Sequence, residues 1–314
     1  MTATSSPPPR AAPATMAAPP VGFSLAVSAA CLGYTATTCA LWYAFRGTWF
    51  GRSETVPVLF AGGAVLFFGC IWLKERVAPW RLGRETITVA LTSVSLLALF
   101  WYFGRQGVFR SLFPTAGRDG GLAVMLPFFC FVAASLLARS ILPMATARVV
   151  LGRSPADYGY RLRGTFELWW LYAAAAAIAA VAVVVASSLP AFQQRYPIGR
   201  NLIHDGQIAL GEFVVYQLAY GLLFASGESF WRGYILFGLE RRLGRLALIF
   251  MVGLYTTVHL GKPPLETAAS VGAGLFLGYL ALRHRSFWLG VAVHWFVALL
   301  MDLLALVHRG VTWG

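Results

Sequence analysis

Long apolar runs separated by short, polar and often basic intervals dominate the chain from Val21 onward. A bilayer core of about 30 Å needs roughly 20 apolar residues in a helix, and a helix satisfies its own backbone hydrogen bonds in lipid. Nine runs suit that role. Five come first: Val21 to Phe45, Pro57 to Leu73, Thr86 to Phe103, Gly121 to Ala145 and Leu168 to Leu189. Four follow: Ile208 to Leu239, interrupted at Ser226-Gly227; Leu246 to Leu260; Leu265 to Leu282, short enough to be re-entrant or tilted; and Ser286 to Val307. The pattern therefore predicts an all-α protein, a polytopic transmembrane helical bundle of about eight or nine spans. Residues 1–20, rich in Pro, Ala, Ser and Thr, cannot pack a core and are expected to form a disordered tail. Residues 21–150 read as scaffold helices and 151–314 as the functional core.

Composition sharpens this picture. Of 314 residues, 58% are hydrophobic and 12% charged, whereas about a quarter of a typical soluble chain is charged. Mean hydropathy is +0.68. A net charge of +13 raises the question of nucleic acid, but no basic helix, zinc pattern or aromatic RNA motif accompanies it. The arginines fall in the breaks between runs and read as anchors at a lipid surface. Counting Lys and Arg in alternate loops places the N-terminus on the cytoplasmic side, and heavy Ala, Gly and Arg usage suits a bacterial cytoplasmic (inner) membrane. Cys31, Cys39, Cys70 and Cys130 lie inside apolar runs without metal-type spacing, which makes them packing residues.

Ionisable side chains inside a bilayer are costly and are usually kept for a partner or a purpose. They cluster late here. The first five spans hold Arg139, expected to snorkel toward the nearby surface, whereas the last four hold Glu212, Glu228, Arg232, His259, His294 and Asp302, with Glu266 at a span end. Rising about 1.5 Å per residue from the basic loops, Glu228, His259 and His294 lie at depths of roughly 18, 21 and 14 Å. One carboxylate and two imidazoles at one level can hold a water. Blander accounts exist: Glu228 and Arg232 form an i,i+4 ion pair, the histidines join helices by hydrogen bonds, and Gly274 with Gly278 serves close helix packing. Two histidines and a carboxylate also suit zinc, although no HExxH is present. A proton or substrate path through a transporter would use the same late residues.

The same residues carry a resemblance to the CPBP family of intramembrane proteases, which includes CAAX prenyl endopeptidases and bacteriocin-processing enzymes. Gly227-Glu228-Ser229-Phe230-Trp231-Arg232 is similar to the family's Glu-Glu-x-x-x-Arg, Tyr255-Thr256-Thr257-Val258-His259 to its Phe-x-x-x-His, and His294-Trp295-Phe296-Val297-Ala298 to its His-x-x-x-Asn. Ser154 to Arg161 resembles the polar segment that often precedes the core, so the likeness spans about Arg153 to Val307. It implies a peptidase acting on a membrane-associated peptide or protein without a cofactor or metal. By the same resemblance, Glu228 and His259 activate water, His294 stabilises the oxyanion, and Arg232 supports them. Gly227 stands where the family has its first glutamate and Ala298 where it has asparagine. The alternative is therefore a catalytically inactive relative that binds membrane partners as a scaffold or immunity protein.

Overall fold

The computed structural model describes residues 21–76, 82–112, 114, 121–162 and 164–314. The expected tail at residues 1–20 lies outside this range, as do Arg10, Arg81, Arg118 and Arg163 of the charge count. The described chain is a bundle of helices. In order they are α1 (Leu25–Ala44), α2 (Val56–Glu75), α3 (Arg84–Phe103), the short α4 (Gln106–Leu112) and α5 (Leu126–Leu136). α5 runs on to Val150 through π turns at Leu137–Ile141 and Thr146–Val150. Then come α6 (Trp169–Ser187), α7 (Pro190–Arg195), α8 (Leu210–Glu228), α9 (Leu246–Thr257), α10 (Pro264–His284) and α11 (Trp288–His308). The only sheet among the described residues pairs β1 (Gln207–Ile208) with β2 (Thr312–Trp313) in parallel.

Among the described residues, seven helical stretches are long and apolar enough to cross a membrane, and the protein is an integral membrane protein. The two remaining expected spans differ from the sequence reading for separate reasons. Leu246 to Leu260 contains a helix of 12 residues, about 18 Å long and short of a bilayer core. Ten of those residues are buried, because α9 is enclosed by α1, α2, α10 and the continuation of α8. A helix apolar on every side can be a protein core as readily as a lipid-facing span. The second difference concerns Ser226-Gly227, where an interruption was expected. The helix instead continues from α8 into a π-helical segment, Ser229–Phe237, and then an α-helical end, Gly238–Leu243.

Every residue of that π segment is buried. It shares the largest apolar core with α9, α1 and α2, around Phe230, Ile235, Leu236, Phe250, Phe60 and Phe67. A second core joins α5, the start of α8 and the end of α11 through Phe128, Tyr216 and Leu306. α6 packs on α11 and otherwise turns Ile178, Val181, Val184 and Val185 outward, as expected of a lipid-facing helix. At the end of the bundle rich in basic residues, Glu85 of α3 accepts from Arg153 at 2.8 Å, Arg241 at 3.1 Å and the Tyr158 hydroxyl at 3.2 Å. The Ser154–Tyr158 turn is thereby clamped between α3 and the end of the α8 helix. Gly233 permits this approach: a Cβ there would lie 2.8 Å from the Tyr158 carbonyl oxygen.

Candidate functional site

The junction between α8 and its π segment carries the buried carboxylate. Glu228 is 2% exposed, and its Oε1 accepts from Arg232 Nη1 at 2.6 Å. The four-residue spacing that suggests an ion pair in sequence thus closes one in space. The same Oε1 lies 2.6 Å from His294 Nδ1 of α11. A carboxylate only accepts, so Nδ1 carries the proton and its N–H donates. Room for this contact comes from Gly290, one helical turn before His294, where a Cβ would stand 2.7 Å from Glu228 Oε2. Among the described residues, Glu228 Oε2 and Arg232 Nε and Nη2 have no hydrogen-bond partner. Buried groups of this kind are costly unless something satisfies them, which marks the spot as one able to take a small polar guest.

His259 enters differently. It lies just past the end of α9, in a turn held by Thr267, whose hydroxyl donates to the His259 carbonyl at 2.9 Å. Tyr43 of α1 braces that turn from outside, its hydroxyl 2.7 Å from both the Lys262 carbonyl oxygen and Thr267 Oγ1. His259 Nδ1 is 2.7 Å from the Tyr255 carbonyl oxygen. Since a carbonyl can only accept, Nδ1–H donates, and in the neutral ring Nε2 is left as a bare acceptor.

Tyr255 links the two halves. Its ring meets His259 edge-on, with centroids 4.4 Å apart, and its hydroxyl is 3.2 Å from His294 Nε2. Arg232 lies over the Tyr255 ring at 4.5 Å, and Trp231 packs against it edge-on at 5.6 Å. The structure therefore brings Glu228, Arg232 and His294 into direct contact and attaches His259 to them through Tyr255. Glu228 faces His294, not His259, with which the sequence-based expectation had it share a water. Among the described residues, no three His, Cys, Asp or Glu side chains converge as metal ligands would.

The other late ionisable groups belong elsewhere. Asp302 is fully buried and accepts from the Tyr216 hydroxyl at 2.5 Å, Gln217 Nε2 at 2.9 Å and the Ile198 backbone N–H at 3.0 Å. Glu266 pairs with Lys262 at 2.6 Å and accepts from the Tyr196 hydroxyl at 3.0 Å. Arg139 does not snorkel. Its guanidinium donates to Ser135 Oγ, to Ser226 Oγ at 3.1 Å and to the Leu223 carbonyl at 3.3 Å, over the Phe100 ring. Inward hydroxyl and carbonyl acceptors outcompete the surface here, and the sequence gives no sign of them. A Cβ at Gly227, the position of the family's first glutamate, would lie 3.4 Å from Arg139 Nη1.

Residues 211–300 match the family model described as Rce1-like, type II CAAX prenyl endopeptidase. Over this stretch the chain is similar to that family. The matched segment opens in α8 and closes inside α11, so it contains every member of the Glu228, Arg232, Tyr255, His259 and His294 group. The Ser154 to Arg161 segment, expected to share in the likeness, lies outside the Rce1-like match. No curated protein and no solved structure matches the chain. Sequence reasoning quoted Tyr255 without giving it a role, and the signal was present: a tyrosine where the family motif has phenylalanine.

Proposed function

We propose that this Rce1-like protein is an intramembrane endopeptidase of CAAX type that hydrolyses a peptide bond in a lipid-modified or otherwise membrane-associated substrate. The observation that carries this reading is the Glu228–His294–Tyr255–His259 chain, set among helices inside the Rce1-like segment, with Glu228 and Tyr255 buried and the two imidazoles half-buried. His259 Nε2 is the base. It takes a proton as water oxygen bonds to the scissile carbonyl carbon, then returns that proton to the amide nitrogen as the C–N bond breaks, leaving a carboxylic acid and an amine. These become carboxylate and ammonium by passing the second water proton. Glu228, itself held by Arg232, accepts from His294 Nδ1–H and so orients that ring with Nε2 toward the carbonyl oxygen as it gains charge. Arg232 positions the carboxylate.

The test is cleavage of a prenylated peptide by protein reconstituted in lipid vesicles. Glu228→Gln and His259→Ala are each expected to reduce turnover about 10²- to 10⁴-fold. Full activity in both would overturn these roles.

A second reading, that of an inactive relative that binds such peptides or membrane partners, is favoured by Gly227 and Ala298 and by the double engagement of Glu228 Oε1. Loss of a positioned base and of one oxyanion donor could together cost about 10⁴- to 10⁷-fold. Gly227→Glu separates the two readings. Proteolysis appearing only in this variant supports the inactive relative. In the peptidase reading, the new carboxylate meets Arg139 and adds nothing.

A further inference from the structure

We infer that the Tyr255 hydroxyl is a second oxyanion donor, supplying from α9 the hydrogen bond that an amide at position 298 would otherwise give. This rests on the peptidase reading and extends it to a residue whose hydroxyl the family motif lacks. Ala298 follows His294 by four residues and so shares its helix face, but a methyl group donates nothing. Tyr255 fills that gap from the neighbouring helix. Its oxygen and His294 Nε2 are 3.2 Å apart and hydrogen-bonded to each other at rest, so an oxyanion arriving about 2.8 Å from each takes their hydrogen bonds in place of that contact.

The ring is fixed before any substrate arrives. Arg232 covers one face, Trp231 and His259 meet it edge-on, and the residue is 5% exposed. Donors held in place in this way cost no reorganisation when charge develops, which is the source of their catalytic value. The same ring abuts His259, so one residue sets the oxyanion position against the base. The hydroxyl is also within reach of the Arg232 guanidinium.

The experiment uses Tyr255→Phe, which keeps the ring and all three of its packing contacts. Two readouts are taken in vesicles: cleavage of the prenylated peptide, and binding of the same peptide with a phosphonate replacing the scissile amide, alongside the uncleaved peptide itself. Tyr255→Phe is expected to lower kcat about 10²- to 10³-fold with KM unchanged, and to weaken the phosphonate by a similar factor while sparing peptide binding. Ala298→Asn in the Tyr255→Phe background is expected to recover at least about tenfold in kcat. Unchanged kcat and phosphonate affinity in Tyr255→Phe would overturn the inference, as would an equal loss of peptide and phosphonate binding. Should the parent cleave nothing, yet lose phosphonate selectively on Tyr255→Phe, the anion-binding pair stands and the peptidase reading falls. If it neither cleaves nor binds phosphonate, both fall.

Discussion

Two carboxylates are buried in this bundle, and they are satisfied in opposite ways. Asp302 meets only neutral donors, a phenol, an amide and a backbone N–H, and both of its oxygens are engaged. Glu228 meets a guanidinium and an imidazole on one oxygen while the other has no hydrogen-bond partner among the described residues. The first is a latch, tying α8 and α11 to the chain at Ile198. The second has capacity to spare, beside two arginine donors that are likewise unmatched. Burial of a carboxyl group therefore says little about its role. What distinguishes a structural site from a reactive one is the charge and completeness of its partners.

The largest effect that can break this contrast is expected at Glu228. Replacement by leucine leaves Arg232 as an uncompensated buried cation and should cost about 3–5 kcal/mol in unfolding experiments in mixed micelles, since removing one partner of a buried pair strands the other. Asp302→Asn retains an acceptor but turns an amide against one of three donors, and should cost about 1–3 kcal/mol without altering cleavage per folded molecule. If both substitutions affect turnover equally, the distinction fails.

Gly290→Ala sharpens the comparison at lower cost. The added methyl would stand 2.7 Å from Glu228 Oε2, so it should displace the carboxylate from His294 for about 1–3 kcal/mol while leaving the Asp302 latch intact. A smaller effect is expected outside the membrane, at Asp157. The Ser154 backbone N–H, with its hydroxyl and the Arg241 and Arg153 charges, holds that carboxyl below the usual carboxylate range. Its contribution is fully present above the unfolded value and is lost as pH falls through the folded one. Asp157→Asn should therefore melt lower than the parent at neutral pH and match it in acid.

Much of this architecture was legible in sequence. Apolar run length located the helices, and the four-residue spacing announced the Glu228 and Arg232 pair. Equal depth along three helices brought Glu228, His259 and His294 to one level. It could not say which faces which, because rotation about each helix axis depends on packing. That is why Glu228 met His294. Hydropathy also cannot tell a helix apolar toward lipid from one apolar toward protein, so the enclosed α9 was taken for a span. Arg139 was missed because its partners Ser135, Ser226 and the Leu223 carbonyl are ordinary membrane-helix groups until folding gathers them.

The nine wide-wound residues Ser229–Phe237 make the long helix a two-phase object. A π turn accommodates extra chain within a helix, so it offsets the angular setting of whatever lies beyond it. Adding one more residue there, without touching any side chain that reacts, would exceed the extra chain the wide winding already takes up and swing the Arg241 end by about 100° relative to Glu228. The clamp on Glu85 and the grip on His294 could then no longer be kept together. Length in this segment is as consequential as identity, and a single-codon insertion should be more damaging than most substitutions.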